Sequence, residues 1–228
     1  LQHLVDCSVK EHDALEDITY PVITEFLLVH KDLPHQFTFY SEMMLRWNPD
    51  LVHNDRSEIP DVGLVNFRCN RPFIFQLGVK SKRITSIMAQ LPPNNIVEND
   101  DEVRFTFHTA YYQAEDQVKA AVHGDCAPCQ WPMDYFLFVG PYWTHVIVGP
   151  FSEAQLMVRT HKPSGSVDFQ EVVLAKKWLA AVLSWRKLFL LSTADSALKM
   201  ESVIASTDSY SAAAMQEAVT YPAWAAQQ

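Results

Sequence analysis

His123, Cys126 and Cys129 follow one another at intervals of three, a spacing that offers one nitrogen and two sulfur ligands to a soft metal. A structural zinc takes four such ligands, and no second Cys-x2-Cys pair follows, so a zinc centre is not expected. The zinc deaminases also need a His-x-Glu ahead of their cysteines, and none is present. Tyr111, Tyr112 and Glu115 share one short stretch, with Tyr111 and Glu115 four apart and so neighbours on a helix. Joined by Trp143 and Arg159, they would build a base-stacking pocket with an acid and a cation. An N-glycosidase acting on RNA needs such a set: the aromatics stack the base, Arg159 steadies its charge and Glu115 stabilises the oxocarbenium. A third set is cationic. Arg68, Arg71, Lys80, Lys82 and Arg83 fall within residues 62–97, which hold no acid, and such a strip suits contacts to phosphates.

Composition narrows these options. The 228 residues include six glycines, and no two lie closer than nine apart. A loop that cradles phosphates needs clustered glycines, so no nucleotide cofactor is expected. No Gly-x-Ser-x-Gly elbow supports serine-hydrolase chemistry. With 18 Lys+Arg against 27 Asp+Glu the formal net charge is −9. That charge opposes nucleic-acid binding over the whole surface and leaves only the basic strip for it. Residues 1–61 carry 12 acids and 4 bases, and residues 98–134 carry 8 and 2, so the strip lies between acidic flanks. No apolar run approaches the ~18 residues of a membrane span, and no membrane partner is expected. Four cysteines are too few for a disulfide scaffold, which favours a reducing, intracellular setting in cytoplasm or nucleus. The chain begins at Leu1 rather than Met and reads as a fragment or a processed form.

The elements that must position these residues are helices and strands in mixture. Apolar residues Ile18, Val22, Ile23, Phe26 and Leu27 predict a helix over 18–29, and Met43, Met44 and Trp47 the end of a second over 41–47. Residues 37–40, rich in aromatics, read alternatively as a strand. Strands are predicted over 62–67, 73–79, 135–139, 144–148, 156–160 and 187–191. A helix over 101–122 presents Val103, Phe107, Ala110, Tyr111, Ala114, Val118 and Ala121 on one face. Further helices are predicted over 168–184 and in the tail from 195. The fold class is α/β or α+β: a single compact domain over 1–228, its mixed sheet flanked by helices. Residues 1–55 are expected to be a helical N-terminal part, 56–192 the α/β core and 193–228 a helical tail.

Glu58-Ile59-Pro60-Asp61, followed by strand and then by Phe73-Ile74-Phe75-Gln76-Leu77-Gly78-Val79-Lys80-Ser81-Lys82, resembles the core of the PD-(D/E)XK nuclease-like superfamily. There, an acid on a helix, the Asp of a Pro-Asp pair on one strand and an acid-x-Lys on the next surround a divalent metal, with a later helix in support. The resemblance implies Mg²⁺ as cofactor, Asp61 as its carboxylate ligand, Lys82 as the catalytic lysine and Glu42 as the helix acid. It implies nucleic acid, DNA or RNA, as substrate, with Arg68, Arg71, Lys80, Arg83, Gln113 and Gln117 around it. The chemistry needs carboxylates to hold the ion, while metal and lysine activate water and neutralise the phosphorane. This chain departs from the pattern at one place: Lys80 stands where the acid of acid-x-Lys belongs, and a cation there repels a metal.

The texture of Phe107-His108-Thr109-Ala110-Tyr111-Tyr112, Phe138-Val139-Gly140-Pro141-Tyr142-Trp143 and Gly149-Pro150-Phe151-Ser152 is similar to proteins of mushroom-forming fungi, a likeness that implies no activity. The sequence therefore supports a divergent nuclease-like domain acting on or binding nucleic acid, with its power to cleave in question. Two alternatives stand beside it. One is a non-enzymatic protein-interaction domain with a protein partner. The other is an RNA-directed toxin of the ribosome-inactivating, N-glycosidase type.

Overall fold

The computed structural model describes residues 23–25, 38–41, 45–46, 57–58, 60–68, 71–82, 101–124, 126–127, 132–140, 142–158, 188–191 and 193–208. In chain order the elements are β1 (Thr38–Ser41), β2 (Leu45–Arg46), β3 (Ser57–Glu58), β4 (Val62–Arg68), β5 (Arg71–Lys82), α1 (Asp101–His123), β6 (Met133–Val139), β7 (Tyr142–Val148), α2 (Glu153–Leu156), β8 (Phe189–Leu190) and α3 (Ala194–Asp208). Six strands form one mixed sheet in the order β1-β4-β5-β6-β7-β8, and β2 pairs separately with β3. The fold is α/β, as its alternating strands and helices require.

The sheet is antiparallel except at its centre. β1–β4 and β4–β5 are antiparallel, β5–β6 is parallel, and β6–β7 and β7–β8 are again antiparallel. A parallel pair needs a long crossover, and α1 supplies it, running back from the end of β5 to the start of β6. The Cys126 carbonyl accepts from Phe75 N at 2.7 Å, which ties the end of the crossover to the front of β5.

Two hydrophobic clusters lie on the two faces of the sheet. On the first face Phe107, Ala110, Ala114, Val118 and Ala121 of α1 pack with Phe75, Tyr135, Leu137, Val139 and Val146. Ala at three of those five helix positions lets the backbone approach the strands closely, and each fully buried Phe, Leu or Val adds about 1.5–3 kcal/mol. The face predicted for this helix is the one the structure uses at those five positions, and Tyr111 packs partly buried beside them. On the second face Met200, Val203 and Ile204 of α3 and Ile23 of the helical residues 23–25 cover Leu77, Val79, Phe136, Phe138 and Trp143. α1 also packs against β2 and β3.

Alternation along β5 explains how one strand serves both clusters. Leu64 pairs with Leu77 and Val65 with Phe75, which leaves residue 76 as an extra residue in β5. Such a bulge resets the alternation, so Phe75 turns toward α1 while Leu77 and Val79 turn toward α3.

Two predicted elements differ from those found, and a third follows its alternative reading. Residues 45–46, expected in a helix, pair with β3 as a strand, Leu45 opposite Glu58. Residues 38–41 follow the strand alternative and form the sheet's edge, so the N-terminal part is not wholly helical. Of the strand predicted over 156–160, Leu156 belongs to α2, Met157 and Val158 follow it as turn and bend, and residues 159–160 lie outside the described residues. Ser152 caps α2, accepting from Gln155 N, and the Gln155 side chain returns to the Ser152 backbone. Ser-x-x-Gln is a capping-box signal, and it outweighs the apolar run that follows. The helix predicted over 168–184 lies outside the described residues.

Candidate functional site

Asp61 enters β4 and Lys82 ends β5, so the two residues lie on neighbouring antiparallel strands. Successive side chains alternate between faces, and register partners share one. In the parallel pair Gly78, Lys80 and Lys82 are partnered with Tyr135, Leu137 and Val139, all members of the α1-side cluster. Lys80 and Lys82 therefore belong to the α1 face. Val62, opposite Val79, belongs to the α3 side, which turns Asp61 back to the α1 face.

Asp61 is held there by both oxygens. Lys80 Nζ donates to Oδ1 at 2.5 Å, and Ser81 N–H donates to Oδ2 at 2.6 Å. The side chains of Lys80 and Asp61 are 12% and 10% exposed, so water screens the pair only partly. Lys82, half-buried, ends the strand, where its carbonyl accepts from Gly140 N at 3.0 Å. Along α1, the Gln117 side chain accepts from the Tyr135 hydroxyl at 3.0 Å, and Tyr135 lies over Gly78. Gln113 stands one turn earlier on the same helix, toward the Lys80 end of β5.

These surroundings do not fit Mg²⁺. A hard cation of this kind is held through carboxylate oxygens, yet both oxygens of Asp61 already accept from Lys80 and Ser81. Among the described residues no three His, Cys, Asp or Glu side chains converge on one point. Glu42 and Arg83, expected at this site, lie outside the described residues. Arg68 and Arg71 are partners at the far end of the β4–β5 hairpin, nine positions along β5 from Lys80. At ~3.3 Å per strand residue, that is on the order of 30 Å. The basic strip expected to be one surface is thus divided between the two ends of the hairpin. Gln117, expected to touch substrate, is instead buried against Tyr135.

The base-stacking pocket is not assembled either. Trp143 is fully buried on the α3 face, stacked on Phe189 with ring centroids 4.8 Å apart, and its Nε1–H donates to Ser196 Oγ at 2.7 Å. The sheet therefore separates it from Tyr111, Tyr112 and Glu115. Tyr112 packs on His108, ring centroids 4.0 Å apart, and is tilted 50° to Tyr111, so the two tyrosines do not form parallel walls. Burial first, then the charge and hydrogen bond of Glu115, push the Tyr111 phenol well above its ordinary range. Arg159 lies outside the described residues. The zinc set is likewise committed elsewhere: His123 Nε2–H donates to the Leu156 carbonyl at 2.8 Å, and the Cys126 thiol to the Gly124 carbonyl at 3.3 Å. Cys129 is outside the described residues.

Two polar constellations have no counterpart in the sequence reading. Across β6–β7 His145 Nε2–H donates to Asp134 Oδ1 at 2.6 Å, and Thr207 Oγ1–H of α3 donates to Oδ2 at 3.1 Å, fastening that helix to the sheet. On α1 Lys119 is buried, donates to the Val158 carbonyl at 3.1 Å and lies over the Phe151 ring. Burial lowers its pKa against the opposing pull of Glu115 and Asp116. With His123 it clips residues 151–158 onto the helix. Each rests on residues distant in sequence, and spacing carries no signal for them.

The described residues include no helix long and apolar enough to cross a membrane. No family model matches the chain, and neither a curated protein nor a solved structure does.

Proposed function

We propose that the chain is a nuclease-like domain that holds nucleic acid by its phosphodiester backbone and does not cleave it. The observation that carries this reading is the arrangement of Asp61 and Lys82. They lie on adjacent strands and on one face, beside the crossover helix, as the nuclease-like resemblance implies. The cations suit the same guest: Lys82 lies on the same face as Lys80, two residues beyond the Lys80–Asp61 pair, at the end of the strand. Cleavage would require an activated water, and the carboxylate that would hold a metal for that purpose is engaged by Lys80 and Ser81.

Anisotropy of labelled duplex DNA and single-stranded RNA at low salt tests the reading, with gel analysis of the same samples after incubation in Mg²⁺ or Mn²⁺. Salt-sensitive binding weakened by Lys82→Met, with no shortened products, is expected. Products that vanish with Asp61→Ala would show that the site cleaves. No binding to either nucleic acid would remove the reading and leave the protein-interaction alternative.

A further inference from the structure

The mismatch between the surroundings of Asp61 and a divalent ion has a consequence of its own, which rests on the nuclease-like reading above. We propose that the Lys80 ammonium is the resident cation of this site. It stands in for the metal, so the site holds a phosphodiester without any divalent ion and would admit such an ion only if residue 80 were an acid.

The charges support the exchange. In the acid-x-Lys arrangement a carboxylate at this strand position and a divalent ion together contribute one net positive charge. Lys80 alone contributes the same. Replacing the carboxylate and the ion by one ammonium therefore leaves the local charge as a phosphodiester would meet it. The geometry supports it too. Lys80 Nζ lies directly on Asp61 Oδ1, and Ser81 N–H fixes the second oxygen, so the ammonium meets the carboxylate the resemblance assigns to the ion. The β5–β6 register presents Lys80 and Lys82 on one face, two residues apart. What the exchange loses is Lewis acidity: an ammonium carries charge but offers no open coordination position at which water becomes hydroxide. Binding survives and hydrolysis does not.

The test compares the full chain with Lys80→Glu, using Mn²⁺ alone and a labelled DNA duplex as separate probes. The unaltered chain is expected to bind the duplex equally well in EDTA and in Mn²⁺. Lys80→Glu is expected to bind Mn²⁺ about ten-fold or more tightly than the unaltered chain by calorimetry, and to bind the duplex only with Mn²⁺ present. Two facing carboxylates weaken the hairpin, so melting is followed as well. Mn²⁺ should raise the melting temperature of Lys80→Glu and leave the double variant Asp61→Asn/Lys80→Glu unmoved. Duplex binding by the unaltered chain that disappears in EDTA overturns the inference and leaves the nucleic-acid reading intact. So does a Lys80→Glu chain that neither binds Mn²⁺ nor is stabilised by it. An unaltered chain that binds no duplex under any condition overturns both.

Discussion

The Tyr135 ring occupies the place where a side chain on Gly78 would stand. A Cβ built on Gly78 falls 2.0 Å from Tyr135 Cζ and within 2.5 Å of both neighbouring ring carbons. The two are partners in the β5–β6 register, and the Tyr135 hydroxyl is pinned from above by Gln117. A ring held at both ends cannot swing aside. Gly78→Ala is therefore expected to cost about 1–3 kcal/mol, the range of overpacked cores, measured as a fall in the urea midpoint. An unchanged midpoint would mean that the ring moves freely.

Ser196 and Trp143 join α3 to the far face of the sheet. Both are buried, and Ser196 Oγ receives the indole N–H. Ser196→Ala should leave that donor without its acceptor in an apolar place and lower stability by about 1–3 kcal/mol. Ser196→Thr, which keeps the hydroxyl, should recover part of the loss. Equal losses in the two variants would point to packing rather than to the hydrogen bond.

His108 gives the fold an acid limit. Burial lowers its pKa from 6.5 to about 4, so the unfolded chain takes up a proton that the folded chain refuses. Its contribution is complete above pH 6.5 and is lost as pH falls from 6.5 toward 4, by at most about 1.4 kcal/mol per unit. His123, also lowered by burial and partly restored by the Leu156 carbonyl, acts in the same direction. Denaturation midpoints between pH 7 and 5 should decline (~1 kcal/mol or more overall), and His108→Asn should flatten the decline. The same slope in that variant would exclude His108 as its source.

Lys82 should set the salt dependence of nucleic-acid binding. Each phosphate neutralised adds about 0.9 to the slope of log K against log salt on duplex DNA. Lys82→Met is expected to reduce the slope by about one such increment and to weaken binding uniformly across sequences. A change confined to particular sequences would indicate base contacts instead.

Much of the scaffold was legible in the sequence because its signals are local. The 3.6-residue apolar period of α1 and the β-branched runs of β4 and β5 name their own elements, and the buried residues of α1 include five of the seven predicted for its face. β2 and α2 were read wrongly for opposite reasons. β2 is too short to show alternation and owes its state to β3, whereas α2 had a signal in Ser152 and Gln155 that a neighbouring apolar run obscured. Trp143 and Arg159 looked like partners of Tyr111 by residue type alone. Nothing in residue type tells which face of a sheet a side chain takes.

The amino-acid sequence by itself determined that an α/β body forms, that its six glycines are scattered, and that residue 80 is a cation two residues before another. Only the tertiary structure decided what that cation meets. Near the hairpin turn Arg68 is opposite Arg71, and an unbroken ladder continued from there would set Asp61 against Gly78. Two register shifts, between Leu64 and Val65 and between Asn66 and Arg68, move the pairing by two residues and bring Asp61 to Lys80. A single shift would have sent the lysine to the other face, whereas two restore it. Such shifts are fixed by how the bulged strands pack between α1 and α3, a balance among distant side chains that no local stretch of sequence records.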